Sequence, residues 1–129
     1  MSKNYEAIKA HYAGSDTKDL DAMMAPLTAT TAWTEMAGFP CAGTYVGVPA
    51  IIEGVFKRLG EEWDGYNFKL ERLVDGDGTI VGIGTYSGTY RKTGKVMTAR
   101  VVHVWDMKDS KVLRFEQFTD TKLVAAAMN

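Results

Sequence analysis

Hydrophobic and polar residues alternate along most of the second half of the chain, as they do in half-buried β-strands. The alternation runs through residues 67–74 and 79–90 and continues in two runs within 96–121. Polar, glycine-containing or charged turn sequences at 75–78 and 108–111 separate these runs. Because short turns join neighbouring antiparallel strands, the pattern predicts a meander of four strands.

The last predicted hairpin, residues 96–121, carries the most suggestive polar side chains of the chain. One face of its first strand carries Met97, Ala99, Val101, His103 and Trp105. In its second strand one face carries Leu113, Phe115, Gln117 and Thr119, and the other carries Arg114, Glu116, Phe118 and Asp120. A polar side chain among apolar neighbours either satisfies a buried hydrogen bond or contacts a ligand. His103 and Gln117 are therefore candidate site residues.

The first half of the chain has helical spacing in three places. Residues 3–13 and 18–25 predict two helices, ended by a glycine-containing turn and by a proline. Residues 48–59 predict the clearest helix, because a proline stands in its first turn and its apolar positions form one stripe. The threonine-rich segment 28–36 predicts one strand, and the glycine-rich segment 37–47 predicts a loop.

Three glycines interrupt the strand predicted at 79–90, namely Gly82, Gly84 and Gly88. They predict bends or bulges that let the sheet curl into a cone around a cavity. Residues 122–128 predict a short helix over one end of the sheet. The expected fold is α+β, in which three helices pack on one face of a curved antiparallel sheet in a single domain, 1–129.

Composition narrows the function further. The chain has 129 residues, a size that suits one domain, with 15 basic and 16 acidic residues and a formal net charge of −1. This balance argues against nucleic acid and anionic membranes as partners, and no apolar run is long enough for a membrane span. We expect a cytoplasmic protein. With one cysteine, two distant histidines and no phosphate-binding glycine loop, neither a metal nor another cofactor is expected.

Several short stretches, in their order along the chain, resemble one family. They are 18–21, Trp33-Thr34-Glu35-Met36-Ala37-Gly38, 43–47, His103-Val104-Trp105 and Phe118-Thr119-Asp120-Thr121. Together they resemble the SnoaL-like branch of the nuclear transport factor 2-like superfamily, which is related to ketosteroid isomerase and the SnoaL-type polyketide cyclases. The resemblance covers essentially the whole chain. It implies a cone-shaped α+β barrel with an apolar pocket open at one end, and a homodimer formed through the sheet.

The resemblance also implies roles for particular residues. Glu35 matches the carboxylate general base of the isomerase-like pattern. The place of the oxyanion-stabilising tyrosine falls near His11, with Tyr12 beside it, and the place of the protonated aspartate falls at Val102. Because that electrostatic stabiliser is usually the largest catalytic contribution, its loss disfavours ketosteroid isomerase itself.

In the cyclase-like pattern, the acid/base aspartate of the last strand falls at Gln117, which cannot donate a proton at neutral pH. Asp120 is the nearest carboxylate, and the alternatives for it are a cap on the last helix or a pair with Arg114. His103 resembles a pocket histidine and is either a proton shuttle or a core histidine bonded to a carbonyl. Glu35 is either a buried base or an exposed or arginine-paired carboxylate.

Aromatic residues could form the wall of such a pocket or simply the core. The candidates are Tyr12, Trp33, Phe56, Tyr86, Trp105 and Phe115. Two functions follow from the sequence. One is a cofactor-independent isomerase, cyclase or dehydratase acting on a hydrophobic carbonyl compound, with Glu35 or Asp120 as base and His103 and Gln117 polarising the substrate. The other is a protein of the same fold that binds a small hydrophobic molecule without turnover.

Overall fold

Six strands and a set of helices make up the structure, a computed structural model that describes all residues, 1–129. The elements in chain order are α1 (Lys3–Asp16), α2 (Leu20–Met24), β1 (Ala32–Glu35), β2 (Gly43–Val46), α3 (Val48–Ile51), a π-helical turn (Ile52–Phe56), α4 (Lys57–Glu62), β3 (Trp63–Asp75), β4 (Thr79–Tyr90), β5 (Val96–Lys108), β6 (Lys111–Thr119) and α5 (Thr121–Ala127). No helix combines the length and the hydropathy that crossing a membrane requires.

The six strands form one curved, unclosed sheet in the order β2-β1-β6-β5-β4-β3. The predicted meander is present in β3 to β6, and the α+β class is confirmed. The sheet is not antiparallel throughout, because β1 pairs with β6 in parallel. Segment 37–47, expected to be a loop, contains β2, which pairs with β1 through main-chain hydrogen bonds. Glycines are typical of loops, so the sequence did not indicate this short edge strand.

The inward faces of the central strands agree with the alternation read from the sequence, with one exception. Every second residue of β5 from Met97 to Met107 is buried. In β6 the expected inward position Leu113 is instead 54% exposed. Asp106 pairs with Arg114 while Met107 pairs with Val112, so Leu113 is the extra residue of a bulge. A bulge reverses which face a residue takes, and this one could not be read from the alternation.

The helix predicted at 48–59 is one continuous rod, formed by α3, the π-helical turn and α4. The Lys57 N–H donates to the Ile52 carbonyl, five residues earlier, which marks the widened turn. Ile51, Val55 and Leu59 are buried on its inner face, as the apolar stripe indicated. This rod therefore forms one wall of the space beneath the concave face of the sheet.

The glycines of β4 lie opposite irregularities of the sheet, as expected, and one of them also makes room for a helix residue. The irregularities lie in the partner strand β3, between Asp64 and Asn67 and between Leu70 and Arg72, while β4 pairs with β5 without interruption. A Cβ at Gly82 would lie 2.4 Å from the Tyr12 hydroxyl oxygen. The absent side chain therefore lets α1 place a tyrosine directly against the sheet.

Substituting Gly82 by Ala tests this close approach. We expect Gly82→Ala to lower the free energy of unfolding by about 1–3 kcal/mol, because the new methyl group displaces the Tyr12 ring from a packed position. Urea unfolding checks the value. Gly78→Ala is the matched control, since a Cβ there meets nothing within 4 Å. Equal stabilities of the two variants would contradict the explanation.

Candidate functional site

A cavity of about 380 Å³ lies between the concave face of the sheet and the helices. Twelve of its twenty lining residues are hydrophobic, so its wall is mainly apolar. The wall includes Trp33, Phe56, Leu59, Phe68 and Phe115. Lining residues such as Lys18 and Arg91 are solvent-exposed and mark the open end. Such a volume is at the lower end of the range found for small-molecule sites, roughly 300–1,000 Å³.

Glu35 lies at the end of β1, on the same strand face as Trp33, and is 4% exposed. Its Oε1 accepts a long hydrogen bond of 3.4 Å from the Trp33 indole N–H, and its Oε2 has no partner. Burial raises the pKa of Glu35 to about 8, against the smaller opposing effect of the Trp33 hydrogen bond. Glu35 is neither exposed nor paired with an arginine. At neutral pH the Glu35 carboxyl is therefore mainly in its protonated form.

His103 lies between two tyrosine hydroxyls in the buried interior. Its Nδ1 is 2.8 Å from the Tyr12 hydroxyl, and its Nε2 is 2.7 Å from the Tyr86 hydroxyl. The Trp105 indole N–H donates to the Tyr12 hydroxyl at 2.9 Å, and the Gln117 amide donates to the Tyr86 hydroxyl at 3.0 Å. We call these five residues the Tyr12–His103–Tyr86 network.

The protonation of this network follows from counting hydrogens. Burial lowers the pKa of His103 to about 3, with a smaller contribution from His11, so the ring is neutral and carries one hydrogen. It donates to one tyrosine and accepts from the other. Each hydroxyl already accepts from an indole or amide N–H. One hydroxyl hydrogen therefore has no acceptor inside the network, whichever tautomer His103 adopts, and a ligand oxygen could take it.

Tyr66 adds a third tyrosine hydroxyl, which the sequence analysis missed. Its oxygen is buried and has no hydrogen-bond partner, and its ring lies 5.3 Å from the ring of Tyr86. Burial first, then the nearby Tyr86 and Glu35, raise the pKa of Tyr66 well above its usual value. Tyr66 lies in the irregular part of β3, where a bulge can redirect a side chain. Its even spacing from the buried Phe68 was the available signal.

His11 was treated in the sequence analysis only as the position of another residue, and it also lines the cavity. Its Nδ1 is 2.8 Å from the Met23 carbonyl oxygen. Because a carbonyl only accepts, Nδ1 carries the hydrogen and Nε2 keeps its lone pair. Burial lowers the pKa of His11 to about 4, so the ring is neutral. No hydrogen bond within the protein engages Nε2, which is therefore an acceptor for a ligand hydroxyl.

Most of the remaining candidates line the cavity or lie directly behind its wall. Tyr12, Trp33, Phe56, Tyr86 and Phe115 line the cavity beside Glu35 and His103. Trp105 and Gln117 are fully buried behind it and contact the tyrosines rather than the open space.

Asp120 lies outside the cavity: it is exposed and caps α5 by accepting from the Leu123 N–H at 3.1 Å. Capping was one of the two alternatives to catalysis for this residue. The cavity therefore brings Glu35 and His103 together with Tyr66 and His11, and it leaves Asp120 on the surface.

The buried carboxyl predicts a specific pH dependence of stability. A carboxyl whose folded-state pKa is raised favours folding below its unfolded pKa, and this stability is lost as pH rises through the folded pKa. The two histidines, whose pKa values are lowered, act in the opposite direction and only below about pH 6.5. Between about pH 6.5 and 8 we therefore expect unfolding free energy to fall by about 1–2 kcal/mol.

Glu35→Gln removes the titrating group and should leave stability nearly constant over this interval. Denaturant unfolding at several pH values measures it. Glu53→Gln is the control, because that exposed carboxylate pairs only with Lys57 on the helix surface. A wild-type curve that stays flat from pH 6.5 to 8 would show that Glu35 is ionised in the folded protein.

Comparison with known proteins identifies the family of this chain. The family model described as SnoaL-like domain matches residues 8–115. An NTF2-like protein from Burkholderia thailandensis E264 is 56% identical over 100% of this chain and 99% of its own, with a TM-score of 0.97. TerC, crystallised with polyporic acid, is 26% identical over 98% of both chains, with a TM-score of 0.87.

A curated relative, Patulin biosynthesis cluster protein F of Penicillium expansum, is 28% identical over an alignment of 95 residues that covers 68% of this chain and 45% of that protein. This chain thus matches about half the length of that relative. The family match covers most of the chain, and the solved relatives share its fold from end to end. The chain belongs to the SnoaL-like domain family.

Proposed function

We propose that this SnoaL-like protein binds a hydrophobic carbonyl compound in the cavity and moves a proton on it, as an isomerase, cyclase or dehydratase does. One observation carries the proposal: the Oε2 of Glu35 is buried without a partner, in a carboxyl whose pKa is raised to about 8. An acid/base group works best when its pKa lies near the working pH. A buried polar atom without a partner is costly, and a ligand would supply the partner.

The tyrosines provide the electrostatic part of this reaction. With the His103 hydrogen on Nε2, the spare hydrogen of the Tyr12–His103–Tyr86 network is on Tyr86. A carbonyl oxygen near Tyr66 and Tyr86 would then accept from this hydrogen and from the Tyr66 hydroxyl, which has no partner. When ionised Glu35 removes a proton from the carbon next to the carbonyl, the C–H electron pair moves into the new C=C bond. Negative charge then grows on the oxygen, where the two hydroxyls stabilise it.

The proton can return to the same compound at another carbon, so Glu35 finishes in its starting state and the atoms balance. His11 Nε2 offers an acceptor that could hold a substrate hydroxyl during this step. His103 positions the tyrosines and does not need to change its protonation state, because burial keeps its pKa near 3. The missing tyrosine and aspartate of the isomerase-like pattern are thus replaced, in this proposal, by hydroxyls from β3 and β4.

The relatives support a small-molecule substrate. TerC was crystallised with polyporic acid, and the fungal relative is named for a patulin biosynthesis cluster. Neither identifies the compound that this chain uses. They do make a ring-containing carbonyl compound a reasonable first substrate to test.

Exchange of carbon-bound hydrogen in D₂O tests the proton transfer without knowledge of the product. We expect wild-type protein to accelerate deuterium incorporation next to the carbonyl of 2-tetralone, followed by NMR. The rate constant kcat/KM should rise with pH through about 8, because the ionised form of Glu35 is the base. Glu35→Gln should lower the rate by about a hundredfold or more, the usual contribution of a general base.

Tyr66→Phe should lower the same rate by about a hundredfold, since it removes one hydrogen-bond donor from the developing negative charge. Glu53→Gln, on the helix surface, should exchange at the wild-type rate. Exchange that is enzyme-dependent but unaffected by Glu35→Gln would rule out Glu35 as the base.

Binding without turnover is the second candidate, and the protonated state of Glu35 favours it. A neutral carboxyl donates a hydrogen bond and can hold a ligand oxygen without transferring a proton. In that case 2-tetralone would quench the fluorescence of Trp33 and Trp63, which line the cavity, while exchange stays at the buffer rate.

A further inference from the structure

The charged residues that line the cavity are distributed unevenly. Only Lys18, Glu35 and Arg91 among the lining residues carry a side chain that is charged in water. Burial raises the pKa of Glu35 to about 8, so at neutral pH its carboxyl is mostly uncharged. Lys18 and Arg91 are exposed and charged. The lining residues at the open end thus include two cations, Lys18 and Arg91, of which Arg91 is paired with Asp64, and the interior is apolar with neutral polar groups.

Lys18 is held at this opening by its backbone and by its side chain. It connects α1 to α2 with φ of +58°, a left-handed conformation that is uncommon for a residue other than glycine. Its Nζ donates to the Tyr66 carbonyl oxygen at 3.1 Å. That carbonyl is neutral, and no carboxylate forms a salt bridge with Lys18. An ammonium group has three hydrogens, so the charge and the remaining donors are available to a ligand.

Arg91, in the turn after β4, lines the same cavity and is also fixed. Its guanidinium forms a 2.9 Å salt bridge with Asp64 and donates to the Gly60 carbonyl oxygen at 3.2 Å. Asp64 balances part of its charge, so Lys18 supplies the larger share of the positive field at the opening. Both side chains already form hydrogen bonds with neutral or acidic partners on the protein.

We propose that the ligand of this cavity is an aromatic or polycyclic carboxylate, with its rings among the aromatic walls and its carboxylate at Lys18 and Arg91. The inference rests on the proposed function in one respect, that the same cavity holds the ligand. The charges of Lys18 and Arg91 determine the orientation of this ligand. The carboxylate cannot enter the interior without losing its hydration beside Glu35, whereas at the opening it meets two cations and remains partly hydrated. The opposite end of the ligand, with its carbonyl or hydroxyl oxygen, then faces Tyr66 and Tyr86.

Calorimetric titration with 6-hydroxy-2-naphthoic acid and with its methyl ester tests the charge preference. The two compounds share the ring and the hydroxyl and differ in the ionised group. At pH 7 and low salt we expect the acid to bind wild-type protein at least about fivefold more tightly than the ester. Raising the ionic strength should reduce this difference, because salt screens exposed charges.

Lys18→Gln should weaken binding of the acid about threefold to fivefold and leave the ester within about twofold of wild type. Lys18→Gly removes the same charge and accepts the positive φ without strain, so it separates the loss of charge from a change in the backbone. Lys18→Arg should restore the preference. Lys57→Gln is the matched control, since it removes one positive charge from a helix position that does not line the cavity.

Equal affinities for acid and ester in wild-type protein would overturn this proposal, as would equal weakening of both by Lys18→Gln. Failure of both compounds to bind at millimolar concentration would overturn it too. These outcomes are separate from the 2-tetralone exchange. A Glu35-dependent exchange without a preference for the acid would leave the proton transfer standing, and a preference for the acid without exchange would leave only the ligand class standing.

Discussion

The Tyr12–His103–Tyr86 network is the interaction on which the rest of the site depends. It links Tyr12 of α1 to Tyr86 of β4, and His103 itself belongs to β5. The flanking donors, Trp105 and Gln117, come from β5 and β6. One helix is thereby fixed to three adjacent strands by polar bonds in an interior where each unmade bond would cost about 1–3 kcal/mol. His11, Tyr12 and Ser15 of this helix line the cavity, so the network fixes one of its walls.

Burial away from water determines the protonation states of the groups around this network. Burial acts in opposite senses on acids and bases, since it disfavours whichever form is charged. It raises the pKa of Glu35 to about 8 and lowers the pKa of His11 to about 4, so both are mainly neutral at physiological pH. A neutral carboxyl, a bare imidazole nitrogen and the Tyr66 hydroxyl then face one apolar space. Such groups can exchange protons and hydrogen bonds with a ligand without bulk water competing.

Charge appears only where the cavity meets solvent. In the proposal for the ligand, Lys18 and Arg91 attract and orient its anionic end, while the interior acts on its uncharged end. The separation between cationic side chains at the opening and neutral groups in the interior connects the two proposals. One concerns which end of the ligand reacts, and the other concerns which end is recognised.

The local sequence pattern determined much of the fold and of the faces that side chains take. The alternation of residues predicted the meander and placed His103 on the inner face, and the spacing of Trp33 and Glu35 put both on one face of β1. The tertiary structure alone decided the face of Leu113, because a bulge interrupts the period of two and depends on the partner strand. It also decided that Glu35 is buried without a cation and that Asp120 caps a helix on the surface. Burial and hydrogen-bond partners come from residues distant in sequence. Away from bulges, the local pattern therefore specifies which face a side chain takes but not which groups it contacts there.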